Sequence, residues 1–303
     1  MSKNQSILIT GASGLIGSAL TSAFQADGHK VVQAVRDQVK NPEQEIRWSV
    51  AQNEIDQQSL EGIDAVVHLA GASIAGKRWT ESYKKQILES RTKGTRLISE
   101  AIAKMERKPR AFICASAIGY YGDRGTAELD ESSAPGEDFL AEVCLQWERA
   151  CLPAKEAGIR TVNTRFGVVL SPKGGALKSM LFPFKMGVGG VIGDGKQIMS
   201  WIALDDVVAA IKFLLAEDSL SGPVNLVSPQ PVSNREFTKT LGKVLGRPTI
   251  LPMPAFAARL AFGEMADALL LSSTRVVPER LASANFGFHY PQLEPALRHL
   301  LQK

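Results

Sequence analysis

Residues 6–20 read SILITGASGLIGSAL: an apolar run, a loop with glycines at Gly11, Gly14 and Gly17, then apolar residues at helical spacing. Few folded arrangements accommodate this. The apolar run calls for burial in a sheet, and the helix behind it must pack back onto that sheet. The turn between them is too tight for side chains at every position. The predicted unit is a strand over 6–10 and a helix over 15–28 that ends on Gly28. A helix beginning on such a loop offers its first N–H groups and its positive dipole end to a phosphate. In this setting one glycine permits the turn, another lets backbone approach a pyrophosphate, and the third lets the helix pack on the strand.

The alternation then repeats. Strands are predicted over 30–35, 64–70, 111–116 and 160–170, with a long helix over 83–105 and another in PGEDFLAEVCLQWE, residues 135–148. Apolar strands separated by helices give a parallel sheet covered on both faces. The stretch 171–197 is rich in glycine and shows no clear period. SWIAL resumes as a short strand, a helix starts near Asp205 or Asp206, and 223–228 reads as the last strand of the sheet. From Pro229 onward the chain is mainly helical and punctuated by prolines. The predicted fold class is α/β, a Rossmann-type doubly wound parallel sheet with a smaller, mainly helical C-terminal lobe. The sheet domain takes 1–170 and 201–228, and the smaller cap lobe takes 171–200 and 229–303.

Composition narrows the function classes. The chain has 303 residues, 45% of them hydrophobic, and a net charge of +4. That suffices for one large domain with a smaller lobe. The basic excess is spread out; Lys104, Arg107, Lys108 and Arg110 read as a solvated helix end, so no nucleic-acid partner is expected. The three cysteines, Cys114, Cys144 and Cys151, form no CxxC pair and read as small apolar core residues, and no metal site is expected. The segment 250–271 is apolar but broken by Arg259, Glu264, Asp267 and prolines. It reads as helical packing surface and not as a membrane span. With no room for a secretory leader before the first strand, a cytoplasmic protein without a membrane partner is expected.

TGxxGxxG at Thr10–Gly17 resembles the short-chain dehydrogenase/reductase (SDR) superfamily. HLAGA at 68–72, Gly94–Thr95, SAIGYYG at 116–122, RFGVVL at 165–170 and SWIALDDVV at 200–208 are similar to its extended branch. The proline-punctuated tail resembles the atypical epimerase-family proteins with a C-terminal domain of unknown function. The resemblance implies a bound dinucleotide held by Thr10, Gly11, Gly14, Leu15, Ile16, Gly17, Leu69, Ala70, Gly71 and Ser116. Where NAD enzymes of this type place an acid at the end of the second strand, this chain has Arg36. A guanidinium suits a 2′-phosphate, so NADP is expected over NAD. Asp37, the next residue, is the alternative that would serve the ribose.

SDR enzymes also place a Tyr and, four residues later, a Lys on one helix, with a Ser or Thr after the preceding strand. Here that helix is the quoted stretch. One alignment puts Leu140 and Cys144 at those sites, the other Phe139 and Val143, so neither supplies a phenol or an amine. Ala117 stands at the Ser/Thr position and Ser116 is one residue early. Two readings stand. In the first the protein is an NADP-dependent oxidoreductase or epimerase on a carbonyl or sugar-type substrate, with relocated acid–base groups drawn from Ser116, Tyr120 and Tyr121, and with Glu142 as a further candidate. In the second it binds NADP(H) without turnover, as a redox sensor or scaffold. Lys173, Lys185, Gln197 and Trp201 are candidates for a substrate cleft, Ala203 stands where extended SDRs often have His, and His68 reads as structural. The expected assembly is a monomer or a homodimer.

Overall fold

The computed structural model describes residues 4–36 and 38–303. Eight strands form the central sheet. In chain order they are β1 (Ser6–Thr10), β2 (Lys30–Val35), β3 (Glu45–Ser49), β4 (Glu54–Ile55), β5 (Ala65–His68), β6 (Ala111–Ala117) and, beyond a short β7 (Glu128–Leu129) outside the sheet, β8 (Arg160–Phe166). After β9 (Val168–Leu170), β10 (Ile198–Met199) and β11 (Trp201–Ala203) the sheet is completed by β12 (Gly222–Leu226). Their spatial order is β12-β8-β6-β5-β1-β2-β3-β4. All neighbours are parallel except the edge strand β4. Strand order reverses between β1 and β5, and in such sheets ligands bind outside the C-terminal strand ends at that reversal.

The period of two along the strands sorts side chains onto two faces. Ile7 and Ile9 pack with Leu20 and Phe24 of α1 (Leu15–Ala26) on one face, and Leu8, Val66 and Phe112 pack with Ile98 and Ile102 of α2 (Glu81–Ala103) on the other. The second face also takes Trp147 of α3 (Phe139–Arg149) and Ala154 of α4 (Leu152–Glu156). The fold class expected from the sequence is the one observed.

Three local expectations are corrected. The polar interval after β2 hides β3, where only Ile46 and Trp48 are buried and Arg47 points outward. The strand over 160–170 divides at Gly167. A Cβ there would meet the Ser200 carbonyl oxygen at 2.7 Å, and beyond it β9 leaves the sheet to pair with β11. The glycine-rich stretch contains α5 (Gly175–Lys185), whose Leu177, Leu181 and Phe184 are buried at helical spacing although Pro183 lies inside it.

A separate core lies where the sequence places the cap lobe, and it also takes in Leu170 and Trp201. In it Leu177, Leu181 and Phe184 meet Phe237 and Leu241 of α7 (Asn234–Leu245), while α6 (Leu204–Ala216) belongs to the sheet. Two short pairings, β10 with β13 (Val232–Ser233) and β7 with β14 (Arg275–Val276), run along its border. The chain continues through α8 (Ala255–Phe262), α9 (Glu264–Ala266), α10 (Glu279–Ser283) and α11 (Leu293–Leu301), whose Leu297 closes the cap core. The expected boundary at 229 is crossed. Leu281, Ala284, Phe286 and Phe288 pack on the sheet's core, and Asp206, fully buried at the start of α6, accepts hydrogen bonds from the backbone N–H groups of His289 and Tyr290.

The segment 250–271 is the expected packing surface only in part: Ala258 and Ala266 are buried and Met265 and Ala268 pack inward, but Ile250, Leu251, Phe256 and Leu260 stand in solvent. Among the described residues, no helix is long and apolar enough to cross a membrane.

Candidate functional site

The glycine loop lies at the reversal point. Gly11 has φ +69°, and a Cβ on it would press 3.0 Å against the Leu69–Ala70 backbone. A Cβ on Gly17 would lie 2.2 Å from the Gly11 carbonyl oxygen, so only glycine lets α1 begin this close to β1. The helix carries no side-chain cap and no acid in its first turn. Its leading N–H groups and dipole stay available to an anion.

Behind the loop, parallel register aligns Thr10 with His68 across β1 and β5. The Thr10 hydroxyl oxygen accepts from the N–H groups of Leu69 at 3.1 Å and Ala70 at 3.2 Å. Its proton is thereby directed to His68 Nδ1 at 2.7 Å, which makes Nε2 the protonated nitrogen, donating to Thr95 at 2.9 Å. Trp147 Nε1 donates to the same Thr95 oxygen at 2.8 Å. His68 is fully buried, and burial pushes its pKa down to about 3, as a neutral ring in this chain requires. His68 is thus structural: it fixes the turn that carries Leu69, Ala70 and Gly71 beside the glycine loop.

Arg36 is exposed at the end of β2 and borders an open depression of about 410 Å³ shared with Gln38, Val39 and Arg47. Sequence reasoning missed Arg47. Register pairs it with Val35, so the outward-facing guanidinium of β3 comes up beside Arg36. Two cations, with no carboxylate among the described residues of the lining, suit a 2′-phosphate. Asp37 lies outside the described residues.

A second polar row crosses three strands, because register places Ser116, Arg165 and Asn225 side by side on β6, β8 and β12. Glu148, from the last turn of α3, spans it. Its carboxylate accepts from the Ser116 hydroxyl at 2.7 Å and pairs in two-pronged fashion with Arg165, at 2.8 and 2.9 Å. The Arg165 side chain is 3% exposed and that of Glu148 13%. Burial alone would lower the pKa of Arg165, but the Glu148 pair and the Tyr121 hydroxyl outweigh it and push it above the ordinary arginine range.

The two tyrosines of this corner differ. Tyr121 is fully buried; its hydroxyl donates to Asn225 and accepts from Arg165, and burial pushes its pKa up to about 12. Its expected role as a proton carrier is corrected to a brace within the polar row. Ser116 is 2% exposed with its proton committed to Glu148, which makes it a support also. Tyr120 is half-buried, with the Arg165 guanidinium 3.4 Å from its ring centre, and among the described residues its hydroxyl has no protein partner. The Glu148–Arg165 pair went unnoticed in the sequence. The available signal was an arginine at an inward position of a strand, which requires a charged partner when buried.

Helix α3 forms the wall. Asp138 caps it by accepting from Ala141 N–H at 2.9 Å. Leu140 and Cys144 lie against Gly119 in the turn after β6. Burial first, and then Glu148, push the Cys144 thiol up to about 12. Glu142 is exposed and engages Gln146. The remaining candidates separate. Lys173 and Lys185 are exposed, Gln197 is tied to the carbonyls of Ile192 and Leu270, and Trp201 is fully buried in the cap core rather than lining a cleft. Ala203 lies directly before α6. All three cysteines are buried and free.

Residues 7–226 match the model of the NAD dependent epimerase/dehydratase family, and residues 253–300 match a domain of unknown function, DUF1731. An epimerase family protein of Mycobacterium bovis is 45% identical over 294 residues, covering 97% of each chain. The human epimerase family protein SDR39U1 is 35% identical over 299 residues, covering 97% of this chain and 99% of its own. A crystal structure of that human protein with NADPH matches 99% of this chain and 100% of its own, with a TM-score of 0.90 and 33% identity. A nucleoside-diphosphate sugar epimerase from Corynebacterium glutamicum matches 99% of this chain and 58% of its own, with a TM-score of 0.82 and 37% identity. The chain belongs to the NAD dependent epimerase/dehydratase family, among the SDR-type epimerase family proteins that end in a DUF1731 domain.

Proposed function

We propose that this protein is an NADP(H)-dependent oxidoreductase or epimerase acting on a carbonyl or sugar-type substrate, with Tyr120 as its proton-exchanging group. The observation that carries this reading is the hydroxyl of Tyr120, without a protein partner among the described residues, on a ring held against the buried Arg165 guanidinium. The residues present fit the cofactor. Gly11, Gly14 and Gly17 clear space for a pyrophosphate, Leu15 and Ile16 offer helix N–H groups, and Arg36 with Arg47 supplies donors for a 2′-phosphate. NADPH of the human relative supports the same choice. The chemistry NADP(H) supplies when bound is hydride donation or acceptance.

The chain's own residues do the rest. Tyr120 gives a proton to, or takes one from, a substrate oxygen at its Oη. Arg165 places a fixed positive charge beside the ring. Glu148, Ser116 and Tyr121 hold that guanidinium in place and act through it as positioning residues. Leu140 and Cys144 make the α3 wall apolar and exclude water without exchanging protons.

A second reading, binding without turnover, is favoured by one observation: α3 carries neither a phenol nor an amine in either frame, Leu140 with Cys144 or Phe139 with Val143, and burial pushes the Cys144 thiol well up. Single-turnover oxidation of bound NADPH against a panel of carbonyl compounds and nucleotide sugars separates the two. The first reading expects consumption with at least one substrate, and a loss of about 100-fold or more in Tyr120→Phe with NADPH affinity unchanged. Tyr121→Phe serves as the bracing control. Silence across the panel favours the second; consumption that Tyr120→Phe leaves as fast as wild type rules out the second and strikes Tyr120 from the first.

A further inference from the structure

The cap lobe carries an apolar surface that neither the cofactor site nor the fold uses. Phe182 is 75% exposed, Ile250 76% and Leu260 78%, and Met186, Leu251 and Phe256 are exposed beside them in sequence. These side chains come from two separate segments that the backbone joins. Met253 N–H donates to the Val191 carbonyl at 2.8 Å, and Gly193 N–H donates to the Met253 carbonyl at 2.9 Å. Gly187 lies against Pro248. Helical spacing then groups Phe182 of α5 with Met186 at its C-cap, and Phe256 with Leu260 on α8. An apolar patch of this kind marks an interaction site.

Charge identifies the occupant. Residues 172–193 and 237–263, which build the patch, contain seven Lys or Arg and no Asp or Glu, against a net charge of +4 for the whole chain. Lys243 pairs with Glu294 and Arg259 with Asp267, and Lys239 bonds to Thr249. Lys173, Lys178, Lys185 and Arg247 are exposed and have no carboxylate partner among the described residues. A second copy of this face would bring like charges together. A groove-bound peptide would need recessed side chains, whereas these stand half to three-quarters clear of the protein. Protruding apolar side chains among unpaired cations suit a fluid, negatively charged, apolar surface.

We propose that this face rests on the surface of anionic phospholipid membranes, as a peripheral contact without a spanning segment. The attachment reaches the cofactor site through the cap. Gly174 at the start of α5 lies against Leu15 at the start of α1, and Met265 and Ala268 beyond α8 pack on the same buried cluster, around Val143 of α3, as Phe139 and Leu140.

The test is co-sedimentation of the full chain with phosphatidylcholine vesicles, with and without about one-third phosphatidylglycerol, at low and high salt. The expected result is binding at least tenfold stronger to the anionic vesicles and weakened by salt. Phe256→Glu with Leu260→Glu should abolish it, and Lys178→Glu with Lys185→Glu should weaken it, with NADPH titration and melting temperature unchanged for both pairs. No preference for anionic vesicles, or equal binding by Phe256→Glu/Leu260→Glu, overturns the proposal. So does concentration-dependent self-association, or capture of an acidic peptide in place of vesicles, that the same substitutions remove.

Discussion

Replacing Glu148 with Ala leaves the Arg165 guanidinium without its counter-charge at a position that is 3% exposed. Two charge-assisted hydrogen bonds, at 2.8 and 2.9 Å, disappear, and the Tyr121 hydroxyl and the face of Tyr120 remain the cation's neighbours. Breaking one side of a buried pair costs about 3–5 kcal/mol, because the stranded charge keeps its desolvation penalty. For a chain of this length unfolding cooperatively, that is a fall in melting temperature of roughly 6 °C. Exchanging both partners for apolar groups, Glu148→Leu with Arg165→Met, removes the stranded charge and should bring stability back to within about 1–2 kcal/mol of wild type. Thermal unfolding followed by circular dichroism on wild type, both single variants and the double completes the cycle. A Glu148→Ala cost below about 1 kcal/mol, or a double variant as unstable as that single, would refute the reading of this pair as a mutually dependent buried unit.

Gly17→Ala should destabilise the fold by about 1–3 kcal/mol and abolish NADPH binding, since its Cβ would sit 2.2 Å from the Gly11 carbonyl oxygen; thermal shift with and without NADPH measures both. His68 titrates at about 3 in the folded chain against 6.5 when free, so the unfolded chain takes up the proton first as pH falls. Its contribution is intact above about pH 6.5 and lost progressively down to about 3, up to roughly 5 kcal/mol, and urea unfolding from pH 7 to pH 4 should show a shallower decline in His68→Gln than in wild type. Tyr121→Phe leaves Asn225 and Arg165 each short of a partner and should cost about 1–3 kcal/mol, with any turnover lowered far less than in Tyr120→Phe; a loss as large as that of Tyr120→Phe would return Tyr121 to the list of proton carriers.

The sheet was legible because its signals are local. Glycines at 11, 14 and 17 between an apolar strand and a helix admit one geometry, and the inward apolar runs of β1, β5 and β6 are continuous. The elements that sequence reasoning missed have their cause elsewhere in the chain. The break at Gly167 is imposed by the Ser200 carbonyl, and α5 is buried by residues of α7 and α11 more than fifty positions later. Glu148 reads as an ordinary polar residue in the last turn of a helix until register sets Arg165 beneath it. The apolar wall of α3 was visible as a missing Tyr and Lys. The contact of Tyr120 with Arg165, across the ends of two strands, is encoded by no sequence spacing.

The central claim is a dinucleotide site built for a 2′-phosphate, and fluorescence titration of NADPH against NADH tests it most directly. Wild type should bind NADPH at least about tenfold more tightly, since each guanidinium–phosphate bond is worth about 1.5–3 kcal/mol at its strongest and less when exposed. Arg36→Ala and Arg47→Ala, on either side of the depression at the end of β2, should each weaken NADPH by about tenfold and leave NADH unchanged. Equal affinity for the two cofactors in wild type, or a parallel loss of both in the variants, would contradict it.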